Sequence, residues 1–140
     1  MAEKFYEILE HTADIRIRVR AKSLKDLFSQ TARAVFDIIA ERKPGLSPEK
    51  IELTVTQKGG NREELFINWL NELLSLSSAD GLIFSDFKIK SLDDKFLEAT
   101  VSGEKSGNYN INKEVKAATY HQFQIIENKA GWKAEVILDV

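Results

Sequence analysis

The sequence predicts an α+β domain in which two amphipathic helices pack on a mostly antiparallel or mixed sheet. Short segments that alternate apolar with polar or charged residues predict strands early in the chain, and two longer segments repeat apolar residues at helical spacing. The last four predicted elements are all strands, and consecutive strands favour antiparallel pairing. We therefore expect one compact domain over residues 1–140.

The first half of the chain predicts alternating strands and helices. Residues 15–20 alternate apolar side chains with arginines, which is typical of a half-buried strand. Ser23 then provides an N-cap for a helix of about four turns. Residues 51–56 predict a second strand. A second helix begins at Arg62, and its apolar face is so broad that we expect it to be the most buried element.

The second half of the chain predicts two hairpins separated by a polar segment. Four strands are predicted at residues 83–90, 96–101, 115–126 and 132–140. Residues 102–112 contain two glycines and three asparagines, so we predict a mobile loop there. The last predicted strand extends to the final residue of the sequence, which is unusual because chain ends are commonly disordered.

The composition excludes several classes of protein and site. With 43% hydrophobic and 30% charged residues, the chain is typical of a soluble globular protein. Its formal net charge of −2 argues against a free-standing nucleic-acid-binding protein. The absence of cysteine and the presence of only two histidines exclude disulfides, thiolate ligands and a three-histidine zinc site. Without a signal-peptide pattern or an apolar run of ~20 residues, we expect a cytoplasmic protein with no membrane contact.

Three groups with oxygen ligands lie near the two ends of the sequence. Asp14 precedes the first clear strand, and Asp139 and Val140 end the last one. If those two strands pair, the three groups converge, and a cation between the carboxylates would relieve their repulsion. Oxygen ligands select Ca²⁺ or Mg²⁺ over zinc or copper. The alternatives are a polar turn at Asp14 and a solvated chain end at Asp139.

The histidines and arginines of this region permit more than one role. His121 lies in a predicted strand, where a structural hydrogen bond is the commoner role, and a mixed site shared with His11 is the alternative. Arg16, Arg18 and Arg20 project from one face of their strand. They form either a solvated face or an arginine stripe that binds phosphates or an acidic partner surface.

Four motifs of the sequence resemble the archease family in their order and spacing. They are EHTADI at residues 10–15, WLNELL at 69–74, KAATYH at 116–121 and LDV at 138–140. The resemblance covers essentially the whole chain, and the first motif together with the acidic last residues is its most specific part. Ala118 occupies a position where the family usually has valine, and residues 102–112 depart from the family's usual segment.

The resemblance implies a non-enzymatic activator of the RNA ligase RtcB, which joins tRNA halves during splicing through a guanylylated histidine. Such an activator promotes guanylylation and multiple turnover of the ligase, can broaden its nucleotide use, and would contact RNA only through the ligase. The family binds a divalent metal. Carried over to this sequence, its ligands are Asp14, Asp139 and a backbone or terminal oxygen of Val140. The implied ion is Ca²⁺, with Mg²⁺ or Mn²⁺ as alternatives.

Two other functions are compatible with the sequence. A metal-dependent hydrolase would use Asp14 and Asp139 to activate water, although no general base is recognisable beside them. A chaperone-like interaction module would need an exposed apolar patch of several hundred Å². Turnover of a phosphoester or amide by the protein alone would favour the hydrolase, and broad binding of unfolded clients would favour the chaperone.

Overall fold

Two helices and nine strands form the part of the chain that the computed structural model describes, which is residues 5–11 and 14–140 without the side chains of Glu10 and His11. The helices are α1 (Leu24–Ile39) and α2 (Arg62–Asp80). The strands are β1 (Tyr6–His11), β2 (Asp14–Ala21), β3 (Ala40–Arg42), β4 (Ile51–Lys58), β5 (Leu82–Leu92), β6 (Phe96–Lys105), β7 (Tyr109–Ile111), β8 (Ala117–Asn128) and β9 (Gly131–Asp139). The predicted α+β class is confirmed.

The strands form three sheets, and every pairing among the described strands is antiparallel. The first sheet has four strands in the order β1-β2-β9-β8. The second sheet has three strands in the order β4-β6-β5, and β3 pairs with β7 as a short ribbon. The last strand in sequence is therefore a central strand of the first sheet.

The helix α1 begins where its sequence predicts, after Ser23. The Ser23 hydroxyl accepts a hydrogen bond from the Asp26 N–H at 3.1 Å, which satisfies one of the free amides of the first turn. The helix ends at Ala40, whose extended backbone leads into β3 and whose N–H donates to the Phe36 carbonyl. The helix also contacts β1, because the Tyr6 hydroxyl donates to Asp37 at 2.6 Å.

The helix α2 is less completely buried than α1, so the expectation that it is the most buried element was wrong. It buries seven of its 19 residues, whereas α1 buries eight of 16. None of residues 75–80 at its C-terminal end is fully buried, although Leu76 still packs against the core. The central part of α2 is nonetheless fully enclosed, and the indole of Trp69 donates to the Phe28 carbonyl at 3.0 Å.

The prediction of a mobile loop at residues 102–112 was also wrong. The strand β6 continues to Lys105, and β7 pairs with β3. The reason is an ion pair that the sequence does not reveal: Glu104 is only 2% exposed, and Arg42 donates to its two oxygens at 2.7 and 3.0 Å. Because both partners are satisfied, the charged end of β6 can be buried, while residues 110–112 stay exposed.

The side chain of Asn71 fastens α2 to the start of β8. Its amide nitrogen donates to the Ala118 carbonyl at 3.1 Å, and its oxygen accepts from the Ala118 N–H at 2.7 Å. This pair of bonds replaces the neighbouring strand that β8 lacks on its outer edge. Contrary to the predicted bounds, β8 begins at Ala117 and not at Val115, which is buried just before the strand.

Neither of the two helices in the described ranges combines the length and the apolar composition needed to cross a membrane.

We expect Glu104→Gln to lower the unfolding temperature by several degrees at neutral pH. The hydrogen bonds from Arg42 lower the pKa of Glu104 from 4.5 to about 2. A folded-state pKa below the unfolded value contributes stability above pH 4.5, and this contribution is lost as the pH falls towards about 2. Thermal unfolding at a series of pH values should therefore show a difference from the wild type that shrinks over this range.

The matched control is Asp94→Asn, which removes an exposed carboxylate bound by Arg62 at 2.9 Å. Exposed ion pairs contribute about 0–1 kcal/mol, so this variant should unfold almost as the wild type does. A Glu104→Gln deficit that stays constant between pH 6 and pH 2 would contradict the assigned role of the ion pair.

We expect Asn71→Ala to destabilise the protein by about 1–3 kcal/mol, because the buried N–H and carbonyl of Ala118 lose their partner. Chemical denaturation measures the loss. Asn68→Ala is the control, since Asn68 lies one turn earlier on α2 and its bonds, to the Lys58 carbonyl and from the Tyr120 hydroxyl, are both exposed. Equal losses in the two variants would show that the buried pair of bonds to Ala118 contributes no more than exposed bonds do.

Candidate functional site

Two acidic residues lie side by side at one end of the first sheet. The strands β2 and β9 pair without a register shift, from Asp14 opposite Asp139 to Ala21 opposite Trp132. Directly opposed residues of an antiparallel pair have Cβ atoms about 4.5–5.5 Å apart. The strand pairing that the predicted metal site requires is therefore present, and it brings the carboxylates of Asp14 and Asp139 together.

Both carboxylates belong to the face of the sheet opposite the core. Ile15 and Leu138, the next opposed pair, are 2% and 0% exposed and point into the core. Because side chains alternate along a strand, Asp14 and Asp139 lie on the other side, which we call the outer face. Asp14 is half-buried there and Asp139 is exposed.

The backbone around Asp139 leaves one oxygen for the predicted third ligand. The carbonyl of Asp139 already accepts a hydrogen bond from the Lys116 N–H at 2.8 Å. Val140 follows β9 directly and is half-buried. An oxygen of Val140 therefore stays the predicted third ligand.

The donor set fits a hard divalent ion with open coordination positions. Among the described residues, neither Asp14 nor Asp139 forms an ion pair or a side-chain hydrogen bond. Ca²⁺ takes roughly six to eight oxygen ligands, and two carboxylates supply only some of them. The described residues contain no group of three or more acidic or histidine side chains that could complete a cage. Such an ion would have positions left for water or for a partner.

Two of the three outer-face arginines are already neutralised by glutamates. Arg18 lies 3.1 Å from Glu135 and 3.6 Å from Glu7, and Arg20 lies 2.7 Å from Glu7. Arg16, by contrast, forms no ion pair with a described side chain. Its register partner on β1 is Glu10, whose side chain is outside the described atoms. The predicted stripe of three arginines is thus largely a network of internal ion pairs.

His121 lies beside Arg16 because β8 is irregular. Thr119 opposes Ile137 and Gln124 opposes Glu135, so four residues of β8 face a single residue of β9. These four residues, 120–123, form an excursion of β8. The excursion contains Gln122, whose φ of 55° is in the left-handed region. His121, which is exposed, borders a cavity of about 160 Å³ that is also lined by Arg16, Gln122, Glu135 and Ile137.

The other predicted histidine contact cannot be described in the same way. The backbone of His11 belongs to β1 and pairs with Ile15, but its side chain lies outside the described atoms. A site shared by His11 and His121 therefore stays a prediction. Gln122 was not among the predicted site residues. The only signal for it in the sequence is that the alternation of apolar and polar residues breaks between Thr119 and Phe123.

A larger concavity lies near the same end of the sheet. It has a volume of about 1010 Å³ and runs between α2 and the segment before β8. Its lining includes Leu74, Val115 and Lys116, and it contains neither Asp14 nor Asp139. This groove is separate from the carboxylate pair and from the cavity beside Arg16.

The sequence is similar to archease proteins over almost its whole length. A sequence model of the Archease protein family (MTH1598/TM1083) matches residues 6–140. The protein named "Protein archease" from Pyrococcus abyssi is 37% identical over 98% of this chain and 99% of the relative. The protein of that name from Methanosarcina barkeri is 32% identical over 98% of this chain and 97% of the relative.

Solved structures show the same fold. The solution structure of protein 1598 from Methanobacterium thermoautotrophicum has a TM-score of 0.76 and 28% identity, and it covers 97% of this chain and 99% of its own. The crystal structure of a Thermotoga maritima archease, described as a "possible chaperone", has a TM-score of 0.62 at 22% identity and shows the fold alone. The family match and the relatives above 30% identity show that this chain belongs to the archease family.

Proposed function

We propose that this protein is a non-enzymatic activator of an RtcB-type RNA ligase in tRNA splicing. The observation that carries the proposal is the carboxylate pair of Asp14 and Asp139, held opposite each other at an exposed end of the sheet. Family membership supports the choice of partner. The activator would work in the cytoplasm and promote guanylylation and multiple turnover of the ligase.

The carboxylate pair would hold a divalent ion together with an oxygen of Val140. The ion would be Ca²⁺, with Mg²⁺ or Mn²⁺ as alternatives, because all three accept oxygen ligands. When bound, such an ion can orient phosphate oxygens and stabilise the charge that develops on them during nucleotidyl transfer. Its open positions face away from the core, so a partner could approach them.

The chain's own contribution is to keep the two carboxylates at a fixed separation. Ile15 and Leu138 anchor the ends of β2 and β9 in the core, and the Asp139 carbonyl is bonded to the Lys116 N–H. A carboxylate pair held in this way needs little reordering when an ion or a partner binds. Arg16 and His121, which lie nearby on the same face, are candidates for partner contacts.

The net charge supports action through a protein partner. A chain with a net charge of −2 has no basic excess to release counterions from RNA, so we propose that it meets RNA only through the ligase. The hydrolase alternative would require turnover by the protein alone that is lost in Asp14→Ala.

The chaperone alternative would require apolar surface gathered in one place. The large apolar side chains that are exposed in the described ranges are spread over five segments of the chain. They are Phe5 and Ile8 in and before β1, Leu46 after β3, Ile51 on β4, Ile111 on β7, and Tyr120 and Ile126 on β8. This distribution favours a specific partner over general binding of unfolded clients.

We expect Asp139→Asn to weaken Ca²⁺ binding by about tenfold or more and to remove the stimulation of ligation, because one of the two charged ligands is lost. Calorimetric titration with Ca²⁺ and a multiple-turnover ligation assay measure the two effects. The unfolding temperature of the metal-free protein should stay the same or rise slightly, since the substitution also relieves the repulsion from Asp14.

Asp94→Asn again provides the control, because it removes the same charge from an exposed turn remote from this end of the sheet. It should retain both Ca²⁺ binding and stimulation. Full stimulation of the ligase by Asp139→Asn would contradict the proposed role of the carboxylate pair.

A further inference from the structure

We propose that the outer face of the first sheet binds a phosphate group next to the metal position, through Arg16 and His121. The proposal rests on the function given above only for the ion held by Asp14 and Asp139. The phosphate contacts are argued independently, from a cation without a described partner, a local excursion of β8 and a cavity between them.

Arg16 is the outer-face arginine whose charge is available. The guanidinium groups of Arg18 and Arg20 are held by Glu7 and Glu135 at 2.7–3.6 Å, whereas Arg16 forms no ion pair with any described side chain. A guanidinium presents a planar set of N–H donors that matches two oxygens of a phosphate. A half-buried arginine that forms no ion pair is typical of an anion site.

The excursion of β8 supplies the opposite wall of the site. It places His121 and Gln122 against Arg16 around a cavity of about 160 Å³. The left-handed backbone of Gln122 is uncommon for a residue other than glycine, and such conformations often occur at binding sites. An imidazole donates an N–H in either protonation state, and an amide donates two, so both side chains can bind phosphate oxygens.

Among the described residues, the one carboxylate in the cavity lining is already neutralised. Glu135 accepts from Arg18 at 3.1 Å and lies 3.9 Å from Lys133. It therefore repels an anion much less than an unpaired carboxylate would.

Thr119 lies in the same cross-strand row as Ile137 and Arg16, and its buried hydroxyl has no hydrogen-bond partner among the described residues.

The position of the cavity makes the phosphate and the metal neighbours. Arg16 lies two residues after Asp14 on the same face of β2, and residues at that spacing are about 7 Å apart along a strand. Without an ion, the carboxylates of Asp14 and Asp139 would repel a phosphate at this distance. With a divalent ion between them, the same end of the sheet attracts it. Phosphate binding should therefore depend on the metal.

The cavity selects phosphate and not a nucleobase. Its five lining residues include charged, amide and imidazole groups, but none of the larger aromatic side chains on which a base usually stacks. We therefore assign the ligand as the phosphate chain of a metal-bound nucleotide, with no contact to the base. Inorganic tripolyphosphate should bind as well as GTP does, and guanosine should not bind.

Calorimetric titration of the full-length chain in excess Mg²⁺ tests this assignment, with tripolyphosphate, GTP and guanosine as the three probes. Arg16→Gln should weaken tripolyphosphate binding by about tenfold or more, since it removes a charge-assisted contact. His121→Ala should weaken it by a smaller factor. Arg20→Gln is the matched control, because it removes the same charge from the same strand face at a guanidinium already bound by Glu7.

Two results would overturn the phosphate site: no binding of tripolyphosphate by the wild type, or binding that Arg16→Gln leaves unchanged. A direct titration with Ca²⁺ and Mg²⁺ separates this failure from that of the proposed function. If the ions bind and tripolyphosphate does not, the metal role is retained and the phosphate site is wrong. If tripolyphosphate binds through Arg16 while no ion binds, the phosphate contacts of Arg16 are retained, but their dependence on the metal and the proposed metal role are both wrong.

Discussion

The pairing of β2 with β9 is the constraint on which the rest of the molecule depends. It joins segments from opposite ends of the described chain and builds the centre of the first sheet. Its register is fixed by burial, because Ile15 and Leu138 face the core. A slip of one residue in either strand would expose the apolar side chain of that strand and turn its aspartate inward. The same hydrophobic burial that stabilises the sheet thus sets the geometry of the candidate site.

Short sequence patterns predict most of the fold because strand alternation and helix capping depend on residues close together in the sequence. The arginine alternation before Ala21 marks a strand with one buried face, and Ser23 marks the first turn of α1. The polar segment at residues 102–112 was mispredicted for a different reason. The charge of Glu104 can be buried because Arg42, 62 residues away in sequence, binds it, and no short pattern reports that pairing.

The candidate site shows the same division between local and long-range information. Its carboxylates could be predicted from their positions near two strands, on the condition that those strands pair. The neutralisation of Arg18 and Arg20 could not, because it depends on how β1 and β9 align Glu7 and Glu135 beside them. The excursion that brings His121 to Arg16 depends on a mismatch between β8 and β9, which appears only once both strands are paired.

The central position of β9 also has a consequence for how the protein is made. A ribosome releases β2 long before β9, so the strand that must lie between β2 and β8 is absent during most of synthesis. Until then, β2 lacks its central neighbour in the sheet. Pairing between strands so far apart in sequence is also slow. A chain cut short before β9 would lack both the core of its first sheet and half of the carboxylate pair. Synthesis of β9 thus completes the first sheet and the carboxylate pair at the same time.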